Sequence, residues 1–184
     1  MNEPLLWLAI GTLWLLTLVI GAAVVLLYRY VGAKMVGAGN RRFEQGPAVH
    51  GRLASVNQKS VGNRSVAIGI SQRRAQLITF ISTKCSVCDK AWNEVDMFAT
   101  QRMADIDCIV IGSGTKSDVF RRAAELSANV TVIDDSRLML AEKWGVLTTP
   151  FTMLVDAQGV VRAKSDAHGL AGYDALMGGV KWDS

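Results

Sequence analysis

The stretch LITFISTKCSVC, residues 77–88, decides the fold of this chain. Its first part, Leu77–Ile81, is a continuous apolar run, which is typical of a strand buried in the middle of a sheet. Cys85 and Cys88 follow where a helix is predicted to begin, at about Val87. Unpaired N–H groups and the helix dipole stabilise a thiolate there, and the two-residue spacing brings both sulfur atoms within disulfide distance. The pair therefore predicts thiol–disulfide exchange chemistry.

Strands and helices alternate on both sides of this stretch. Further strands are predicted at Val66–Ile70, Cys108–Ile111, Val130–Ile133, Phe151–Val155 and Val160–Ala163. Helices are predicted at Val87–Met103, Ser117–Ser127 with Ser117 as the N-cap, Asp134–Trp144 and Leu170–Met177. The turn Asp156–Gly159 joins the last two strands as a hairpin. This order predicts an α/β fold with a central mixed sheet, an antiparallel edge and helices on both faces.

A second feature is the dipeptide Thr149-Pro150, which directly precedes a predicted strand. A proline at the start of a strand removes one ladder hydrogen bond, and X-Pro is the common place for a cis peptide bond. The dipeptide alone also fits an ordinary trans turn, and its significance comes from its combination with Cys85 and Cys88. The remaining cysteine, Cys108, lies within a predicted buried strand, so we expect it to be a core residue.

The N-terminal part of the chain predicts a membrane anchor. Leu5–Leu27 contains no charged residue and, as a helix, is about 34 Å long, enough to cross a hydrocarbon core of ~30 Å. We expect an anchor over residues 1–28 in contact with membrane lipid, a Gly-rich connector over 29–64 and a folded domain over 65–184. Four basic residues follow the anchor: Arg29, Lys34, Arg41 and Arg42. By the positive-inside rule they favour a cytoplasmic domain, whereas disulfide chemistry favours the oxidising side.

Composition excludes several other classes of protein. With 50% apolar and 20% charged residues among 184, the chain is too apolar to be disordered and too charged to cross a membrane several times. Its net charge of +4 is not accompanied by a basic run with interleaved aromatics, so nucleic-acid binding has no support. The 3 cysteines are too few for a disulfide-stapled scaffold, which favours a chemical role for one pair.

Several stretches resemble one known group of proteins. They are residues 80–88 around the cysteines, residues 144–150 ending at Pro150, and residues 154–161 around the hairpin. Together with the anchor, they are similar to membrane-anchored thioredoxin-like proteins of the TlpA group. Within that group the chain resembles the methylamine utilization protein MauD family, through Gly46-Pro47-Ala48-Val49 and the tail Val160–Lys164. The resemblance covers nearly the whole chain.

The resemblance implies a thioredoxin-like fold and a thiol–disulfide oxidoreductase that needs no metal or cofactor beyond its redox-active cysteines. Cys85 becomes the nucleophilic cysteine and Cys88 the resolving one. Active-site support and partner binding are assigned to four residues: Ser86, Val87, Thr149 and Pro150. Among these, Pro150 is the implied cis-proline facing the cysteines, and Thr149 offers backbone groups to an extended segment of the partner.

The resemblance also implies a client and a compartment. Family members assist the maturation of periplasmic methylamine dehydrogenase by forming or rearranging disulfides in its small subunit. The implied protein is therefore a single-pass protein of the inner membrane with its folded domain in the periplasm. The expected partners are a disulfide-containing client, for which that small subunit is the implied candidate, and a second redox protein that resets the cysteine pair.

Some residues depart from the pattern of these relatives. Ser86 stands where many relatives have proline, and no tryptophan precedes Cys85. No Asp or Glu occurs in Leu77–Ile81, where many thioredoxin-like reductants have a buried acid for proton transfer. The missing acid favours an oxidase or isomerase over a dedicated reductant.

Three alternatives remain at this point. The same cysteine pair could serve a periplasmic thiol reductant of the cytochrome c maturation type. It could also bind Cu(I) in a maturation factor, with His168 as a third ligand, because soft thiolates suit that ion. Finally, the domain could be a binding module in which the cysteines have no redox role.

Overall fold

A computed structural model describes residues 3, 7–8, 10–26, 45–70, 74–102, 106–166 and 169–178. The chain forms two compact units, Met1–Arg41 and Arg42–Ser184. In the first unit, residues 10–26 form a helix, α1, whose side chains are exposed. Residues 1, 2, 4–6, 9, 27 and 28 of the expected anchor lie outside the described residues, as do residues 29–44 of the expected connector. Among the described residues, no helix is both long enough and apolar enough to cross a membrane.

The second unit is built on a five-stranded sheet with the order β5-β4-β3-β6-β7. The strands are β3 (Ala75–Ser82), β4 (Ile106–Ser113), β5 (Val130–Asp134), β6 (Phe151–Val155) and β7 (Val161–Ser165). Strand β3 is parallel to β4 and antiparallel to β6, while β4–β5 is parallel and β6–β7 antiparallel. The apolar run that begins this part of the chain therefore forms the central strand, and the predicted mixed sheet is confirmed.

A smaller antiparallel pair precedes this sheet: β1 (Val56–Lys59) and β2 (Ser65–Ile68). Isolated bridges join residues of this region to the rest of the unit, from Arg52 to Val160 and from Ser60 to Ile133. Residues 45–64, which the sequence assigns to a connector, thus belong to the second compact unit. Exposed residues alternate with partly buried ones along β1, and this pattern is too short and too polar to be recognised as a strand.

Helices cover both faces of the sheet, as predicted. They are α2 (Cys88–Arg102), α3 (Lys116–Glu125), α4 (Met139–Lys143) and α5 (Leu170–Gly178). Helices α2 and α5 pack on one face, where Trp92, Phe98 and Tyr173 are fully buried. The other face is covered by β2 and α4, through Ile68 and Leu140. Burial of each such large apolar side chain stabilises the fold by about 1.5–3 kcal/mol.

Two local predictions need correction and one is confirmed. The N-cap of α3 is Thr115, whose hydroxyl accepts a hydrogen bond from the Asp118 N–H, and the predicted cap Ser117 lies inside the helix. The helix predicted from Asp134 begins only at Met139. The hairpin between β6 and β7 is present, and its Gly159 has a φ of +84°, a conformation that favours glycine.

Candidate functional site

The two cysteines lie at the junction of β3 and α2. Strand β3 ends at Ser82, a short turn follows, and α2 begins at Cys88. The Cys88 N–H donates to the Cys85 carbonyl at 3.0 Å, which closes the turn between them. Cys85 is partly exposed, Cys88 is completely buried, and neither forms a disulfide. The structure therefore presents Cys85 to an incoming sulfur atom and places Cys88 beneath it.

The antiparallel pairing of β3 with β6 brings Thr149 and Pro150 to the cysteines. Phe80 pairs with Phe151, so the end of β3 and the start of β6 lie side by side. The Thr149–Pro150 peptide bond is cis. The Cys85 thiol donates to the Thr149 carbonyl with an S···O distance of 3.7 Å, and the Cys88 thiol donates to the Thr149 hydroxyl at 3.5 Å. Thr149 thus contacts both sulfur atoms.

The environment of Cys88 disfavours its thiolate. Burial, and secondarily a hydrogen bond with the Cys85 side chain, raise the pKa of Cys88 from 9.0 to about 11. Contact with the Thr149 side chain acts in the opposite direction but is weaker. Cys88 is therefore a thiol at neutral pH, and it must lose a proton before it can act as a nucleophile.

Ser86 and Val87 lie at the exposed tip between the cysteines. Val87 is 51% exposed, and Leu147, two residues before Thr149, is 77% exposed. The two lysines that flank the pair, Lys84 and Lys90, are also exposed. One exposed apolar side chain therefore lies between the two cysteines in the chain, and another lies two residues before Thr149, which contacts both sulfur atoms.

The middle of β3 contains a hydroxyl pair in place of a carboxylate. Thr79 and Thr152 are register partners on β3 and β6, both are fully buried, and their hydroxyls are hydrogen-bonded at 3.2 Å. The absence of an acid from Leu77–Ile81, noted in the sequence, leaves this position with neutral hydroxyls. No carboxylate on β3 can therefore accept a proton from Cys88.

Cys108 lies apart from this chemistry. It is buried in β4, and burial raises its pKa from 9.0 to about 12. It packs in the apolar cluster beneath α2, so its expected role as a core residue is confirmed. Over the part of the chain that is described, no group of three or more His, Cys, Asp or Glu side chains is arranged to bind a metal ion. His168, the third ligand in the copper alternative, lies outside the described residues.

The loop before Pro150 is supported by a residue that the sequence did not single out. The side chain of Gln45 is 2% exposed and is hydrogen-bonded to Leu147 and Thr148. These contacts join residues more than 100 positions apart. A single polar residue before Gly46-Pro47 gives no periodic or motif signal, so only the folded structure identifies it.

Comparison with solved structures shows the fold. Lipoprotein thioredoxin Etrx1 from Streptococcus pneumoniae superposes with a TM-score of 0.58 at 18% identity, covering 68% of this chain and 99% of that one. StoA from Bacillus subtilis gives 0.57 at 17% identity, with coverages of 71% and 98%. The thioredoxin domain of a thiol-disulfide oxidoreductase from Bacteroides vulgatus gives 0.60 at 16% identity, with coverages of 73% and 99%. The predicted thioredoxin-like fold is confirmed.

A comparison of sequences points in the same direction as the motifs. The chain is similar to MauD. The methylamine utilization protein MauD of Paracoccus versutus is 26% identical over 121 residues, which are 66% of this chain and 60% of that protein. This chain thus matches less than two thirds of the length of that relative. No family model matches the chain. The resemblance to MauD and to thioredoxin-like proteins, expected from the motifs, is confirmed.

Proposed function

We propose that this protein is a thiol–disulfide oxidoreductase whose reactive pair is Cys85 and Cys88. The observation that supports this most directly is the arrangement of the sulfur atoms. One thiol is partly exposed, its neighbour is buried beneath it, and Thr149 hydrogen-bonds both. An exposed sulfur can form a bond with a client, while a buried one can react only within the protein.

The reaction follows from this arrangement. With the pair oxidised, a client thiolate attacks the sulfur of Cys85, a mixed disulfide forms, and Cys88 leaves and takes up a proton. A second client thiolate then attacks the client sulfur of the mixed disulfide and releases Cys85. The client loses two electrons and gains a disulfide, and the cysteine pair becomes a dithiol. Starting from the dithiol, the same steps in reverse reduce or rearrange a client disulfide.

The hydrogen bonds to Thr149 favour disulfide donation. A thiol can donate to the Thr149 carbonyl or hydroxyl, whereas a disulfide has no proton to donate. These contacts therefore stabilise the dithiol over the disulfide, which makes the oxidised pair a stronger oxidant. The neutral Thr79 on β3 agrees with this direction. A reduction potential near −270 mV or below would instead indicate the reductant alternative.

The client and compartment are the finer part of the proposal. Similarity to MauD supports a disulfide-containing client in methylamine utilization, plausibly the small subunit of methylamine dehydrogenase. The uncharged segment Leu5–Leu27 supports attachment to the inner membrane, with lipid in contact with this segment. The preference of disulfides for oxidising spaces supports a periplasmic domain, and a further redox protein would reset the pair there.

Trapping of a mixed disulfide tests the proposal. We expect full-length Cys88→Ser to accumulate a mixed disulfide between Cys85 and the exported small subunit, because the resolving thiol is missing. Cys85→Ser should form none, and both variants should lose at least 100-fold in client oxidation. The measurement is non-reducing electrophoresis with identification of the linked cysteines.

The third cysteine provides the matched control. Cys108→Ala also removes a buried thiol, but from the core beneath α2, and should keep activity. Full client oxidation by both Cys85→Ser and Cys88→Ser would refute the exchange chemistry. If Cys88→Ser forms a mixed disulfide with the purified client but not with the exported client, the periplasmic placement would be refuted and the exchange chemistry would stand.

A further inference from the structure

We propose that Gln45 is a positioning residue that sets the redox equilibrium of the Cys85–Cys88 pair by fixing the loop that contains Thr149. The inference rests on the proposed thiol–disulfide exchange. In the part of the chain that the structure describes, Gln45 forms no hydrogen bond with either sulfur atom. It acts through the residues that directly precede Thr149 in the chain.

The contacts of the Gln45 side chain use both ends of its amide. Its Oε1 accepts hydrogen bonds from the Leu147 N–H at 3.0 Å and the Thr148 N–H at 2.9 Å. Its Nε2 donates to the Thr148 hydroxyl at 2.9 Å. Two backbone donors converge on one oxygen, so the orientation of the amide is determined by its partners. Because Gln45 is buried, its own amide would be costly to leave without these partners.

The loop needs such support because burial does not supply it. Leu147 and Thr148 are both exposed, and neither belongs to a helix or a strand. Few apolar contacts therefore oppose movement of this segment. The hydrogen bonds to Gln45, which include one from the Thr148 hydroxyl to Oε1 at 3.2 Å, connect this segment to the interior immediately before Thr149.

Gln45 is itself held from two directions. The Gly46 N–H donates to the Gly145 carbonyl at 2.9 Å, at the other end of the same loop. The Lys164 ammonium on β7 donates to the carbonyls of Gln45 at 2.9 Å and Pro47 at 3.2 Å. Gly46 has a φ of +73° and lies against the Phe151 ring, where a Cβ would approach to 2.6 Å. Residues 45–47 are therefore held in place against the loop by hydrogen bonds and by packing on Phe151.

The effect on the cysteines follows from the bonding of Thr149. Its carbonyl and hydroxyl accept hydrogen bonds from the thiols of the reduced pair, and no such bond can form in the oxidised pair. If the loop relaxes, these bonds lengthen and the dithiol loses stabilisation relative to the disulfide. Removal of Gln45 should therefore shift the equilibrium towards the disulfide, which makes the pair more reducing.

The experiment measures the equilibrium of the full chain with reduced and oxidised glutathione. We expect Gln45→Ala to raise the equilibrium constant for oxidation of the pair about threefold to tenfold, the effect of losing about one net hydrogen bond. Gln45→Glu keeps the acceptor for the Leu147 and Thr148 N–H groups and should return the constant to within twofold of the wild type. This recovery distinguishes loop positioning from a general loss of stability.

Gln76 is the matched control. It is also a buried glutamine, 2% exposed, that accepts from the Gly69 N–H at 2.7 Å and donates to the Ala67 carbonyl at 2.8 Å. It connects β3 to the end of β2, at the other end of β3 from the cysteines. Gln76→Ala should lower stability and leave the glutathione equilibrium unchanged.

The outcomes separate this inference from the proposed function. A wild-type pair that never exchanges with glutathione refutes the function itself. If the wild-type pair exchanges with glutathione, two results would overturn the role of Gln45. One is an equilibrium constant that Gln45→Ala leaves unchanged, and the other is an equal shift of that constant by Gln76→Ala. If Gln45→Ala does not fold, the exposed Thr148→Val variant is used. Its loss of the hydroxyl that pairs with Gln45 should raise the constant about twofold, and no change would overturn the inference.

Discussion

Burial gives the two sulfur atoms of one short motif different chemical properties. Cys85 is partly exposed, whereas Cys88 has no accessible surface and a pKa raised to about 11. In the mixed disulfide, Cys88 must attack the sulfur of Cys85, and only the thiolate can do so. Since β3 contains no Asp or Glu, no carboxylate of that strand accepts the proton. Deprotonation of Cys88 should therefore limit the resolving step.

The pH dependence of resolution tests this difference. A chromogenic aromatic disulfide releases one equivalent of chromophore when Cys85 attacks it and a second when Cys88 resolves the adduct. Burial, the largest cause of the raised pKa of Cys88, persists in the adduct and keeps that pKa above the ordinary 9.0, so below pH 9 the thiolate fraction rises about tenfold per pH unit. We expect the second phase, followed by stopped flow, to accelerate by roughly that factor per unit between pH 6 and pH 9. Cys108→Ala should behave like the wild type, and a plateau of the second phase below pH 9 would contradict the assignment.

Among the elements, the short helix α4 matters because it leads directly into the loop before Pro150. Leu138, at the N-cap position of α4, makes no side-chain capping hydrogen bond. Its first amides are bonded instead by Asp135, whose carboxylate accepts from the N–H groups of Leu140 and Ala141, both at 3.0 Å. Asp135 is buried, and its own N–H donates to the Gly112 carbonyl at the end of β4. One residue thus links α4 to the sheet, through its carboxylate on the helix side and its backbone N–H on the sheet side.

Replacement of Asp135 should therefore destabilise the second unit. We expect Asp135→Ala to lower the free energy of unfolding of the full chain by about 1–2 kcal/mol, because two helix amides lose their acceptor. The carboxylate of the adjacent Asp134 accepts a hydrogen bond from the Ser136 N–H in the turn before α4, so Asp134→Ala should cost less than half as much. Urea unfolding followed by circular dichroism compares the two variants. Equal losses would show that α4 does not depend on the buried carboxylate.

The elements also differ in how far the sequence predicts them. Strand β3 and helix α2 were predicted because continuous burial and a helical apolar period leave a direct trace in the sequence. Helix α4 was predicted five residues too early, since its cap comes from a side chain that precedes it by a turn. Strand β1 is not predicted because it is four residues long, mostly polar and only partly buried. Local pattern predicts an element when its burial is continuous or periodic over a long enough stretch, even where its partners lie far away in the chain, as for β3 and β6.

The candidate site shows the same limit at the level of residues. Cys85, Cys88 and Pro150 were identified from spacing and from the residue types themselves. Gln45 could not be, because its contribution depends on contacts across more than 100 positions. The positions proposed to perform the chemistry are thus visible in the sequence, while the residue proposed to support their loop becomes visible only in the folded chain.

At the scale of the whole molecule, both faces of the sheet are closed by apolar packing, and two of the buried groups are thiols. Burial raises the pKa of Cys88 to about 11 and that of Cys108 to about 12, from 9.0 in each case. The folded protein therefore keeps two protons that the unfolded chain loses above pH 9. This contribution to stability is complete below pH 9 and is lost as the pH rises towards 11 and 12.

The stability of the reduced protein should accordingly fall above pH 9, by up to about 1.4 kcal/mol per pH unit for each thiol. Urea unfolding of the full chain at closely spaced pH values measures this slope. Between pH 9 and pH 10, Cys108→Ala should reduce the slope to about half, and so should oxidation of the Cys85–Cys88 pair, which leaves no Cys88 thiol to titrate. Burial also raises the pKa of Tyr173, but from an ordinary value of 10.0, so that this group adds to the slope above about pH 10 and not in the range compared. The free energy of unfolding could instead fall with pH at the same slope in reduced wild type, oxidised wild type and Cys108→Ala. That result would mean that these thiols have the same pKa in the folded and unfolded chains.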